Sequence, residues 1–174
     1  MKIGFPEQAD DSLYYTRYLK LAGGEDLLLE LENISSLTLS AVNRLTDQDL
    51  SFQYAAGKWC IGLLLKHICD AERVYAYRAL RMLRGDATDL PGFDEDVFAS
   101  RSTSYPTIAA FTREYQAIRA ASIELFLNSD LTYLDFEGKA NGLIFTPRIL
   151  GWLMIGHNRH HIEMLKERYL PLLK

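Results

Sequence analysis

Apolar residues recur at three- and four-residue intervals along four stretches, roughly 26–45, 58–84, 104–128 and 146–169, and this period predicts four long amphipathic helices. In the second stretch the stripe runs through Cys60, Leu64, His67, Ala71 and Val74. In the fourth it runs through Leu150, Leu153, Met154, Met164 and Leu165. Gly85 supplies a C-cap for the second helix, and Thr146-Pro147 pairs an N-cap threonine with a proline at the first helical position. Residues 86–104, with Leu90-Pro91-Gly92-Phe93-Asp94, form a long connection of the kind that often carries function. Residues 131–145 alternate like strands around Glu137–Gly142, which predicts a hairpin or an extended crossover. Residues 1–23 lack sustained periodicity beyond a short helix near 12–21. They read as an extension packing on the bundle, with Tyr14, Tyr15 and Tyr18 as an aromatic lid. The pattern predicts an all-α, four-helix-bundle fold in a single domain over 1–174, without repeats.

The chain has 174 residues, 48% hydrophobic and 24% charged, enough for one domain with a full core. A net charge of −4 argues against nucleic acid as a partner, because phosphate binding needs a concentrated basic surface. Arg73, Arg78, Arg81 and Arg84 are interleaved with Tyr75, Tyr77 and Leu80, which fits a solvated helix face. Cys60 and Cys69 fall in one predicted helix, about 13 Å apart and too far for a disulfide. With no apolar signal core and no membrane-length apolar window, the expectation is a reduced, cytoplasmic protein.

The chain has four histidines. His157 and His161 lie on the apolar stripe of the fourth helix at spacing i, i+4, a turn of about 400° that stacks them on one face. His160 is rotated by about 100° and points elsewhere. His67 shares the stripe of the second helix. If these two helices are neighbours, the positions of His67 and His157 within them meet at mid-depth only if the helices run parallel or start near the same bundle end. Three imidazoles in an apolar seam are costly without partners, and one divalent ion satisfies all three lone pairs. Three protein ligands leave coordination positions open, as in catalytic sites. Ordinary hydrogen-bonded core histidines remain the alternative.

Di-iron bundles use Glu-x-x-His, but Leu64, Met154 and Asn158 stand three before the histidines. His-Glu-x-x-His is absent, and no hydroxyl or thiol is marked as a nucleophile. Asp70, three residues after His67, is a candidate to accept its second N–H or else to pair with Arg73 or Arg159. His160 is a candidate supporting or rim residue. Trp59 reads as a core anchor, and Asn158 and Arg159 as pointing off the seam. Glu72, like Arg73 and Arg78, reads as forming pairs to other helices.

The segments Tyr54–Ile61, His67–Arg73, Tyr77–Leu80, Leu90–Asp94 and Gly156-His157-x-x-His160-His161 together resemble the DinB/YfiT-like superfamily over about residues 12–170. Cys60 departs from the serine usual after the tryptophan. The resemblance implies an up-down-down-up bundle with a long crossover, often a homodimer. It implies metal ligation by His67, His157 and His161, and it separates His161 from His160. Imidazoles alone suit zinc, nickel, iron or copper, with manganese a further choice. Some relatives join a low-molecular-weight thiol to an electrophile, so the implied function is a metal-dependent thiol transferase or a related hydrolase acting on small molecules. The alternative is a non-catalytic, metal-stabilised, stress-related binding module. No membrane partner is expected.

Overall fold

Side-chain oxygens start three of the long helices. In the computed structural model, which describes residues 2–6 and 14–173, Asp26 caps α2 (Leu27–Val42) by accepting from the Leu28 amide. Thr107 caps α5 (Ile108–Leu127) through the Ala110 amide, and Thr146 caps α6 (Pro147–Met164) through the Ile149 amide. Each satisfies an amide that the first turn leaves without a partner. The remaining long helix is α3 (Ile61–Met82), and α6 is continued by a π-helical turn, Leu165–Tyr169. The short helix α1 (Thr16–Leu19) precedes the bundle; the expected helix near 12–21 begins outside the described residues.

α3 and α2 each pack between α6 and α5, so the four helices form a ring in which consecutive α2 and α3 are diagonal. Tyr169 Oη donates to Trp59 O (2.9 Å), which sets the end of α6 beside the start of α3 and makes that pair antiparallel. The Lys66–Glu114 and Glu72–Arg119 pairs make α3 and α5 parallel. Gly151 sits on Leu27 and Asn158 on Thr38, so α2 and α6 are parallel as well. The order is up-down-down-up.

Because α3 and α5 run the same way, the chain must travel the bundle's length between them, as parallel elements require. That crossover is not all loop: Asp94 caps a seven-residue helix, α4 (Glu95–Arg101), which packs on α3. The later segment is a true hairpin, β1 (Gly138–Ala140) with β2 (Leu143–Phe145). Its turn residues Asn141 and Gly142 both have positive φ, 53° and 74°, the Asn-Gly preference of a two-residue turn. Leu90 of the crossover bonds to Lys139 and Asn141 of the hairpin, tying the two connections together.

The apolar core is divided. One cluster gathers Leu27, Leu31, Met82, Phe126 and Leu153; the other gathers Val42, Leu65, Phe111, Ile162 and Leu165. Between them lies a buried polar layer. Arg119 donates to Glu72 (2.8 Å), to Asn158 Oδ1 (3.0 Å) and to Leu31 O (3.2 Å). Tyr115 also donates to Asn158 (2.6 Å), whose amide donates to Thr38 (2.9 Å). This single network joins all four long helices. Asn158 therefore faces the bundle centre and not off the seam, and Glu72 forms an interhelix pair, with Arg119 of α5.

Removing one member of a buried ion pair strands the other charge. Arg119→Met is therefore expected to lower the unfolding free energy by about 3–5 kcal/mol in urea titration, and Glu72→Leu/Arg119→Met to recover most of that loss.

Candidate metal centre

α6 is buried nearly all round because α1, α2 and α3 all pack against it. Asn158 takes the inward face. His157 and His161 take the face toward α3 and α1. His67, in the second turn of α3, meets them there because α3 and α6 run antiparallel. The depth condition, that the two helices run parallel or start near the same bundle end, does not hold: an early position on one helix meets late positions on the other.

His157 Nε2 lies 3.0 Å from His67 Nε2 and 3.1 Å from His161 Nε2. One nitrogen from each of the three rings lies within 4.8 Å of the other two. The residues are 8%, 5% and 7% exposed for His67, His157 and His161. Burial pushes the pKa of His67 down to about 4. Burial, reinforced by the neighbouring histidines, holds His157 and His161 well below the ordinary imidazole value. All three are therefore neutral near pH 7, with ring lone pairs available. Nitrogens bound about 2.0–2.1 Å from one ion at angles of about 90–110° stand about 2.8–3.4 Å apart, so the two spacings to His157 fit a shared ion. The fit is better than that of a hydrogen-bonded trio, in which two N–H groups would compete for the one lone pair of His157 Nε2.

The surroundings hold the rings from several elements. Tyr18 of α1 packs edge-on against His157 (5.3 Å between centroids) and against His160 (5.4 Å). It reaches them because Gly156 lets α1 touch α6: a Cβ there would lie 1.9 Å from Tyr18 O. Tyr75 approaches His157 (5.7 Å). Trp59 is half-buried beside His67 (5.0 Å) on the wall of a cleft, and so does not act as a core anchor. His160 is half-buried on the same cleft, 4.9 Å from His161. Asp70 pairs with Arg73 (3.4 Å), and no hydrogen bond joins it to His67 among the described residues. Nδ1 of His161 is buried without a protein partner among the described residues.

Two of the clefts lined by His67 adjoin the other histidines. One, of about 110 Å³, is walled by Tyr15, Tyr18, Tyr75 and Phe145 and reaches His157 and Arg78. The other, of about 430 Å³, is bordered by His160, His161, Trp59, Arg17, Lys58 and Arg168. Glu95 of α4 lines both. The site thus has an aromatic side and a charged side. Sequence reasoning missed Glu95, Arg78 and Arg119. Arg119 and Arg78 each had a visible signal, a charge on an apolar stripe: Phe111, Tyr115, Ser122, Phe126 for the first and His67, Ala71, Val74 for the second.

Depressed imidazole pKa values mean that the unfolded chain binds more protons than the folded one below about pH 6.5. The metal-free protein should keep its full stability above that pH and lose it on acidification. The loss is expected at up to about 1.4 kcal/mol per pH unit per histidine, with the His67 contribution levelling off near its folded value of about 4. Denaturant titrations in EDTA between pH 7 and pH 4.5 measure the slope, and His67→Gln should reduce it by about a third.

The chain is 25% identical over 141 residues to an Oceanobacillus iheyensis protein, OB0413, named as a candidate metal-dependent hydrolase. The match covers 80% of this chain and 81% of the relative. YfiT from Bacillus subtilis, described as a probable metal-dependent hydrolase with an unusual four-helix bundle topology, superposes with a TM-score of 0.69 at 18% identity. That likeness covers 92% of this chain and 90% of YfiT and establishes the shared fold. The family profile of the DinB superfamily matches residues 30–165, a span containing the four long helices save the first residues of α2, the crossover, the hairpin and all three histidines, and the chain belongs to that superfamily.

Proposed function

We propose that this chain is a divalent-metal-dependent enzyme for small molecules, with His67, His157 and His161 as the protein ligands of one ion. The observation that carries the reading is the convergence of three neutral ring nitrogens at a point where two clefts open. A structural metal site is closed by four protein ligands, whereas three ligands and adjoining space suit a site that admits a reactant. Those clefts favour an enzyme over a binding module.

When bound, such an ion supplies Lewis acidity that makes water or a thiol a competent nucleophile at neutral pH. The chain's own residues do the rest. The neutral histidines orient the site, Tyr18 and Tyr75 limit water on its aromatic side, and Trp59 and His160 border the side open to solvent. Hydrolysis is the reaction to test first, in keeping with the description of the Oceanobacillus relative. Conjugation of a low-molecular-weight thiol to an electrophile is the finer alternative on the same site. Zinc, nickel, iron and manganese are the ions to try, because nitrogen donors alone do not select among them. Cys60 and Cys69 are both free and buried, in keeping with a reducing compartment such as the cytoplasm. No helix among the described residues is long and apolar enough to cross a membrane.

Tag-free protein should carry about one metal ion per chain by mass spectrometry after exposure to these four ions. His67→Ala and His157→Ala should each retain less than about a tenth of it, as expected for loss of a ligand and not of a supporting group. Metal that stays substoichiometric under all four ions, or full retention in His157→Ala, overturns the assignment. Activity is read separately, with ester and amide substrates and with a model electrophile plus a panel of cellular thiols, each with and without EDTA.

A further inference from the structure

Arg78 is a buried cation without a counter-ion among the described residues. It is 5% exposed, and among the described residues its hydrogen bond is from Nη2 to Pro91 O (3.0 Å), with no carboxylate in ion-pair range. The other fully buried arginine shows what the fold does elsewhere: Arg119 has Glu72 at 2.8 Å and three further acceptors. A guanidinium carries five N–H donors and stays protonated in proteins, and Arg78 matches one of them to a protein carbonyl, leaving the others to whatever occupies the cavity it lines.

The unmatched group faces the small aromatic cavity. Arg78 lines it together with His67, His157, Tyr15, Tyr18 and Tyr75. Arg78 lies eleven residues after His67, about three full turns, and therefore on the same face of α3. Helical side chains lean toward the N-terminus, so the arginine reaches back along the helix toward the histidines. One end of the cavity is thus cationic, the walls are aromatic, and the other end is the candidate metal centre.

We propose that Arg78 anchors a small organic monocarboxylate in this cavity, with its apolar body between the tyrosines and its other end at His67 and His157. The proposal rests on the metal-dependent reading of the same site. A single guanidinium, with the Glu95 carboxylate on the same cavity, suits one negative charge better than the two of a phosphate ester. The aromatic walls suit a short hydrocarbon chain or ring.

Calorimetric titration with butyrate, hexanoate and phenylacetate, each paired with its amide, tests the assignment on metal-loaded and EDTA-stripped protein. At least one carboxylate should bind both forms at least tenfold more tightly than its amide. Arg78→Gln should weaken that binding at least tenfold while leaving metal content unchanged, and Arg78→Lys should lose less. No binding by any of the three, equal binding of acid and amide, or binding that needs the metal but ignores Arg78 overturns the proposal. If Arg78→Gln does not fold, Arg78→Lys and the acid–amide comparison on the unaltered protein decide it. Arg78-dependent binding in a protein that takes up no metal would uphold the anchor and refute the metal centre. Intact metal with Arg78-independent binding would do the reverse.

Discussion

The buried charge of Arg119 constrains everything around it. A guanidinium and a carboxylate taken out of water must be matched closely or the fold loses more than it gains. Here the match draws in Glu72 from α3, Tyr115 from α5, Asn158 from α6 and the Leu31 carbonyl from α2. The two apolar clusters on either side can slide or rotate at modest cost, since apolar contact is not directional. The polar layer cannot, so it sets the height and rotation of each helix. Asn158 is the residue next to His157, and Glu72 is five residues after His67. Holding Asn158 and Glu72 inward therefore turns the histidines to the other face, where α3 and α6 meet under α1.

Topology then builds the surroundings. Parallel α3 and α5 oblige the chain to cross the bundle's length, and the crossover carries Phe93, Glu95 and α4 over the histidine face. Gly156 permits backbone contact between α6 and α1, so Tyr18 covers His157. The hairpin captures the crossover through Leu90 and adds Phe145 to the cavity wall. Segments outside the four long helices thus enclose the site. Such connecting segments are where binding residues concentrate on a rigid scaffold.

Much of this was legible in the residues alone. The four long helices follow from three- and four-residue apolar spacing, and the start of the fourth from Thr146-Pro147. His157 and His161 were fixed as a stacked pair by helix geometry, which needs no tertiary contact. Asn141-Gly142 is a local signal for the hairpin turn because few other residue pairs tolerate two positive φ angles. These are all short-range properties, set within one or two turns of chain.

What lay beyond the sequence is long-range. The antiparallel meeting of α3 and α6 depends on which helix ends lie together, and amphipathic period says nothing about that. Asn158 and Trp59 were misplaced for one reason: a polar or aromatic side chain near a stripe can be solvated, packed or paired. Only the partner chosen from another helix decides which. Arg78 shows the same limit most plainly. In the sequence it belongs to a row of surface arginines, and its burial exists only because the crossover and α1 close over it. Local periodicity determined the helices and the paired histidines; the tertiary structure decided their neighbours, because burial and electrostatic matching are properties of segments brought together from far apart.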